Sequence, residues 1–103
     1  MTISIVSRTF EGPHTHTMYL RNAAGIYVVL DQRSNGNWTI IDVGESEDIR
    51  SRIENHDREG CWKRHSWGTL GIAAYYTPGW TANHRRSLES EIRDSYAPAC
   101  GIR

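Results

Sequence analysis

Arg52 and His56 stand four residues apart in Glu45-Ser46-Glu47-Asp48-Ile49-Arg50-Ser51-Arg52-Ile53-Glu54-Asn55-His56. Four residues is about one helical turn, so on a helix a guanidinium and an imidazole would project together. Ile49 and Ile53 share that spacing, and the Arg52/His56 row adjoins their apolar stripe. An imidazole at the edge of a buried face can exchange protons near neutral pH. Each residue also has a plain structural use: Arg52 can pair with Asp48 at i−4, and His56 can sit near a helix C-terminus. Downstream, Trp62-Lys63-Arg64 and Trp67 interleave cations with aromatics, which suits phosphates and unstacked bases. The tryptophans could equally cover a small core while the cations stay in water. His14 and His16 would point the same way in an extended segment and could share a metal ion. With no third ligand in sequence, they read as two solvated histidines.

The elements that must position these groups begin with a hairpin. Gly25-Ile26-Tyr27-Val28-Val29-Leu30 is answered by Ile40-Ile41-Asp42-Val43-Gly44, and Asn35-Gly36 supplies the turn between them. In the first strand Ile26, Val28 and Leu30 share one face, with Tyr27 and Val29 on the other. Tyr27 is either a half-buried strand aromatic or a hydroxyl at the rim of a site. A helix over 46–57 follows, with Ser46 as its N-cap and Glu47 and Asp48 in its first turn. Gly60 stops it, and residues 57–68 read as a loop. Residues 69–77 read as a strand closed by Pro78-Gly79. A second helix runs from about Thr81 or Asn83 to Ser95, with Leu88 and Ile92 as its apolar pair. Arg85 and Arg93 flank Glu89 at i−4 and i+4, as in a surface ion-pair ladder, and Pro98 ends the helix. Upstream, residues 2–6 read as a short strand or loose end, and 10–17 as turn-like through Gly12-Pro13.

The 103 residues fit one small domain with a modest core. No apolar run is long enough to span a bilayer and no signal peptide is evident, so the expectation is a soluble, cytoplasmic chain without membrane partners. Cys61 and Cys100 stand far apart outside any Cys-x-x-Cys pattern, which favours two reduced thiols. Lys plus Arg is 12 and Asp plus Glu is 12, so phosphate affinity would have to come from a local basic face. The order strand, strand, helix, strand, helix suits an α/β chain of the α+β type, a small three-stranded antiparallel sheet flanked by helices.

This ordered set of residues resembles a GIY-YIG nuclease domain over roughly residues 23–101, within a single domain spanning 1–103. Gly25-Ile26-Tyr27 stands as the family's first motif. Arg52, by its spacing after the glycine strand, matches the family arginine, and His56 matches the histidine or tyrosine one turn on. Glu89, followed by Ile92 and Pro98, matches the last helix's glutamate. Three positions depart. The second motif reads Asp42-Val43-Gly44, with aspartate for the family's tyrosine. Gly101 stands where many members have asparagine, and Glu45 where some have lysine.

The resemblance implies a metal-dependent endonuclease hydrolysing nucleic-acid phosphodiester bonds, with DNA ahead of RNA as partner. Glu89 would hold a divalent cation, Mg²⁺ or Mn²⁺, which neutralises the phosphate and the leaving oxyanion. Arg52 would bind the non-bridging oxygens, with Lys63 and Arg64 as further substrate contacts. Tyr27 or His56 would act as base. Asp42 would join this catalytic set as a second metal ligand or a base, or else it marks a site that has lost its activity. The alternative is a catalytically silent GIY-YIG-like module that binds nucleic acid or protein. With no recognition domain appended, the expectation is low intrinsic specificity, or help from a partner protein or a second copy in a homodimer.

Overall fold

A computed structural model describes residues 1–101. Strands β1 (Thr2–Ile5), β2 (Arg8–His14), β3 (Gly25–Gln32), β4 (Trp38–Ser46) and β5 (Thr69–Tyr76) form one five-stranded sheet, with helices α1 (Ile49–Glu54), α2 (Glu59–His65) and α3 (Ala82–Tyr96). A single 3-10 turn covers Thr17–Tyr19. The strands run in the order β1-β2-β5-β3-β4, and every pairing is antiparallel. The sheet is therefore wider than the three strands expected from the sequence. The expected three are present as β5-β3-β4, and the β1-β2 hairpin extends them on the β5 side.

The extra hairpin escaped a reading based on turn chemistry for a definite reason. Its two-residue turn is Val6-Ser7, both at positive φ (44° and 65°). That conformation normally selects Asn-Gly or Asp-Gly. Here tertiary packing imposes it: Ile5 and Phe10 are buried in one of the two cores. The β3-β4 turn follows the sequence, with Gly36 at φ +85° and its amide donating to Arg33 O.

Alternation along β3 divides the interior as expected. Ile26, Val28 and Leu30 join Val43, Leu88 and Ile92 under α3. Tyr27 and Val29 join Ile41, Ile49, Ile53, Trp62 and Cys100 on the opposite face. β3 lies inside the sheet, between β5 and β4, and is buried along nearly its whole length. β4 lies at the sheet edge, where α3 also packs, so side chains from both faces can meet there.

The helices differ from expectation at their ends. α1 starts at Ile49, because Asp48 rather than Ser46 caps it by accepting from the Ser51 amide; Ser46 still belongs to β4. It ends at Glu54, so His56 stands beyond the helix. Residues 59–65 form α2 instead of loop, and Gly60 lies inside it. A glycine in a helix costs about 1 kcal/mol, and burying the Trp62 indole offsets that. Cys61 and Cys100 are joined in a disulfide, with Cα atoms 6.0 Å apart, in place of the two thiols expected. Thirty-nine residues separate them, and only the fold brings the α3 C-terminal tail back onto α2. Among the described residues, no helix is long and apolar enough to cross a membrane.

Candidate functional site

The β3-β4 register places Tyr27 opposite Gly44 and Val29 opposite Asp42. The register shifts between Val29 and Leu30, leaving Ile41 as a bulged residue without a partner. The Tyr27 ring lies directly over Gly44. A Cβ at position 44 would collide with the hydroxyl and the adjoining ring carbons, so glycine here is what admits the ring.

The Tyr27 hydroxyl meets His56 Nε2 at 2.5 Å, and the two rings meet edge to face. On the other side of the imidazole, the Arg58 amide donates to Nδ1 at 3.0 Å. Nδ1 is thus an acceptor, which puts the proton of the neutral ring on Nε2 and aims it at the Tyr27 oxygen. Burial, followed by the nearby Arg52 and Arg58 charges, pulls the His56 pKa down to about 4, so the ring is neutral at pH 7. Burial likewise pushes the Tyr27 hydroxyl up to about 12. Arg58, Asp42, Arg52 and Glu89 all act electrostatically on that hydroxyl, the cations lowering its pKa and the carboxylates raising it. Charges carried on β4, α1, the α1–α2 connection and α3 thus act on one phenol of β3.

Arg52 is about one-third exposed and pairs with Asp57 at 3.0 Å, not with Asp48. Glu89 lies 3.7 Å from Arg93 Nη2 and is about one-quarter exposed. Lys63 stands in solvent on α2, paired with Glu59 at 2.9 Å, and Arg64 is exposed on the same helix. Trp62 is buried, whereas Trp67 is exposed, so the two tryptophans divide between core and surface.

Asp42 differs from what its position in the second motif suggested. Its carboxylate is fully buried, and every direction around it is occupied. Oδ2 accepts from Arg58 Nε at 2.8 Å and from Trp62 Nε1 at 2.7 Å. Oδ1 accepts from the Val43 amide at 2.8 Å and from Arg93 Nη2 at 3.2 Å. Burial alone would raise its pKa, but hydrogen bonds from Arg58 and Trp62, with the Arg58 charge, hold it below the usual carboxylate range. The cation answering this carboxylate is a pair of arginines. Glu45 is similarly engaged, by Arg85 Nε at 2.8 Å. Arg85 and Arg93 are buried, so they are not rungs of a surface ladder.

Arg58, Trp62 and Arg93 are the site residues that sequence reasoning missed. The signal for them was Asp42 itself: a carboxylate between Ile41 and Val43 in an apolar strand demands buried partners. In comparisons with protein-family models, curated proteins and solved structures, nothing matches this chain.

Proposed function

We propose that the cluster around Tyr27 hydrolyses nucleic-acid phosphodiester bonds with the help of a divalent cation. The observation that carries this reading is the contact between His56, beyond α1, and the Tyr27 hydroxyl of β3, at which the charges of Arg52 and Glu89 are also felt. Arg52 keeps about a third of its side chain in solvent, and its guanidinium pairs with the exposed Asp57, an anion that a phosphate could replace.

Glu89 fits a hard cation. It is partly exposed, and one carboxylate together with a substrate phosphate suffices for Mg²⁺. Asp42 does not fit as a second ligand, because its lone pairs already face donors from four residues, Val43, Arg58, Trp62 and Arg93. The cation would supply neutralisation of the scissile phosphate and of the leaving oxygen.

The protein's own groups divide the remaining work. His56 donates from Nε2 to Tyr27 and so fixes the phenol as a positioning residue. With Nδ1 taken by the Arg58 amide and a pKa of about 4, the imidazole is not the base. Tyr27, protonated at pH 7, is buried at 1 % exposure, so it supports the site from within, and the groups open to a phosphate and a cation are Arg52 and Glu89. Asp42 holds Arg58 and Arg93 in place beneath this group.

The test is cleavage of labelled single- and double-stranded DNA and RNA with Mg²⁺ or Mn²⁺, and with chelator. Metal-dependent cleavage lost in Arg52→Ala and in Glu89→Gln is expected. Failure of the parent protein on every substrate would overturn the hydrolase reading. Salt-sensitive binding in that case would identify a nucleic-acid-binding module.

A further inference from the structure

The cross-link between Cys61 and Cys100 has a third neighbour. His65 follows Cys61 by four residues on α2, one turn along the same helix face. A ligand atom from each of Cys61, His65 and Cys100 lies within 4.8 Å of the other two. Two sulfurs and an imidazole nitrogen at that separation are a soft donor set. Tetrahedral zinc, with Zn–S near 2.3 Å and Zn–N near 2.0–2.1 Å, needs such atoms roughly 3.5–4 Å apart. Small side-chain rotations cover the difference once the sulfurs are no longer bonded to each other.

The backbone that carries these side chains is held by contacts besides the disulfide. The Cys100 amide donates to Ile41 O at 2.9 Å, and Arg93 Nη1 donates to Cys100 O at 2.9 Å. On the other side, α2 is anchored through the buried Trp62 and its bond to Asp42. Cleaving the S–S bond therefore leaves both sulfurs facing one another. Cys100 is buried, Cys61 is partly exposed and His65 is exposed, so the group opens to solvent on one side.

We propose that Cys61, His65 and Cys100 form a redox-gated site for a thiophilic divalent cation such as Zn²⁺. The reduced chain binds the ion and the disulfide form excludes it. Reduction by a dithiol or phosphine adds two electrons and two protons to the S–S bond and yields two thiols. Binding then releases one proton from each thiol, giving two thiolate ligands and one neutral imidazole. Three protein ligands leave a fourth position for water or an external ligand. The site lies at the α2–tail junction and does not rest on the hydrolase reading. Its donors are soft, where Glu89 offers a hard oxygen.

Co²⁺ is the probe. The full chain, reduced with a phosphine and freed of metal, is titrated with Co²⁺ and followed by absorption, with circular dichroism alongside. One equivalent should bind, with a thiolate-to-cobalt charge-transfer band and the ligand-field bands of a tetrahedral centre, and Zn²⁺ should displace it. Zn²⁺ should also raise the melting temperature of the reduced protein, because it binds the folded state. The oxidised chain should show neither band. His65→Ala keeps both cysteines and can still form the cross-link. It should bind Co²⁺ more than about tenfold more weakly, since losing even an outer-shell partner of a ligand costs that much. Glu89→Gln should give the parent spectrum. Absence of the charge-transfer band in the reduced parent would overturn the proposal, as would a spectrum and affinity unchanged in His65→Ala.

Discussion

Asp42 and Arg52 are both charged residues of the candidate site, yet their surroundings predict opposite behaviour. The Asp42 carboxylate is buried between Arg58 and Arg93. Removing its charge strands two guanidinium groups, so Asp42→Asn should cost on the order of 3–5 kcal/mol, the penalty for breaking a buried pair. Urea denaturation would measure this. Asp42→Tyr should destabilise further, since the ring has no room among the donors of four residues, and it should not raise cleavage. Arg52, by contrast, is partly exposed and pairs with an exposed aspartate. Arg52→Ala should change stability by less than about 1 kcal/mol while abolishing metal-dependent cleavage. A loss of folding comparable to Ile53→Ala would mark Arg52 as structural.

Between strands, the critical contact is the Tyr27 ring on Gly44 across the β3-β4 ladder. Gly44→Ala places a methyl where the phenol lies, so either the strand or the ring must move. Overpacking of this kind costs about 1–3 kcal/mol, and the displaced hydroxyl would lose His56. Gly36→Ala is the matched control. Its Cβ would meet nothing, and only its positive φ (+85°) is strained, for roughly 1 kcal/mol. Both variants should lose stability, but only Gly44→Ala should lose cleavage at matched folded fraction. Equal activities would show that Tyr27 does not support the site.

For the molecule as a whole, His56 links folding to pH. Its folded pKa of about 4 lies below the ordinary value of 6.5. Between these values the unfolded chain binds a proton that the folded chain refuses. Stability is therefore fully present above pH 6.5 and falls as pH drops towards 4, by up to about 3 kcal/mol. Asp31 also has a lowered pKa. Burial opposes that shift, and the Trp67 amide, Ser66, the Gly68 amide and Arg33 outweigh the burial. With Asp42, it should extend the loss into the acid range as the carboxylates take up protons. Denaturant midpoints measured from pH 7 to pH 4 should decline in the parent and much less in His56→Gln. Parallel curves would show that His56 does not carry the dependence.

Local chemistry alone determined the β3-β4 hairpin, the two faces of β3, the β5 strand and the extent of α3. Each follows from alternation, an Asn-Gly turn or helical spacing confined to a few neighbouring residues. Order and spacing also singled out Tyr27, Arg52, His56 and Glu89 as the candidate set. What Asp42 does was not legible. Its partners come from 16, 20 and 51 residues away, and no local pattern says which arginine will cross the sheet edge. The same holds for the Val6-Ser7 turn, imposed by the packing of Ile5 and Phe10, and for His56, which stands beyond its helix because its ring is satisfied by Tyr27 and the Arg58 amide. The disulfide completes the set, since the approach of Cys61 and Cys100 depends on the tail returning to α2. Neighbouring residues decide secondary structure through backbone geometry, whereas burial of a charge, an imidazole or a thiol is decided by whichever distant groups the fold brings to it.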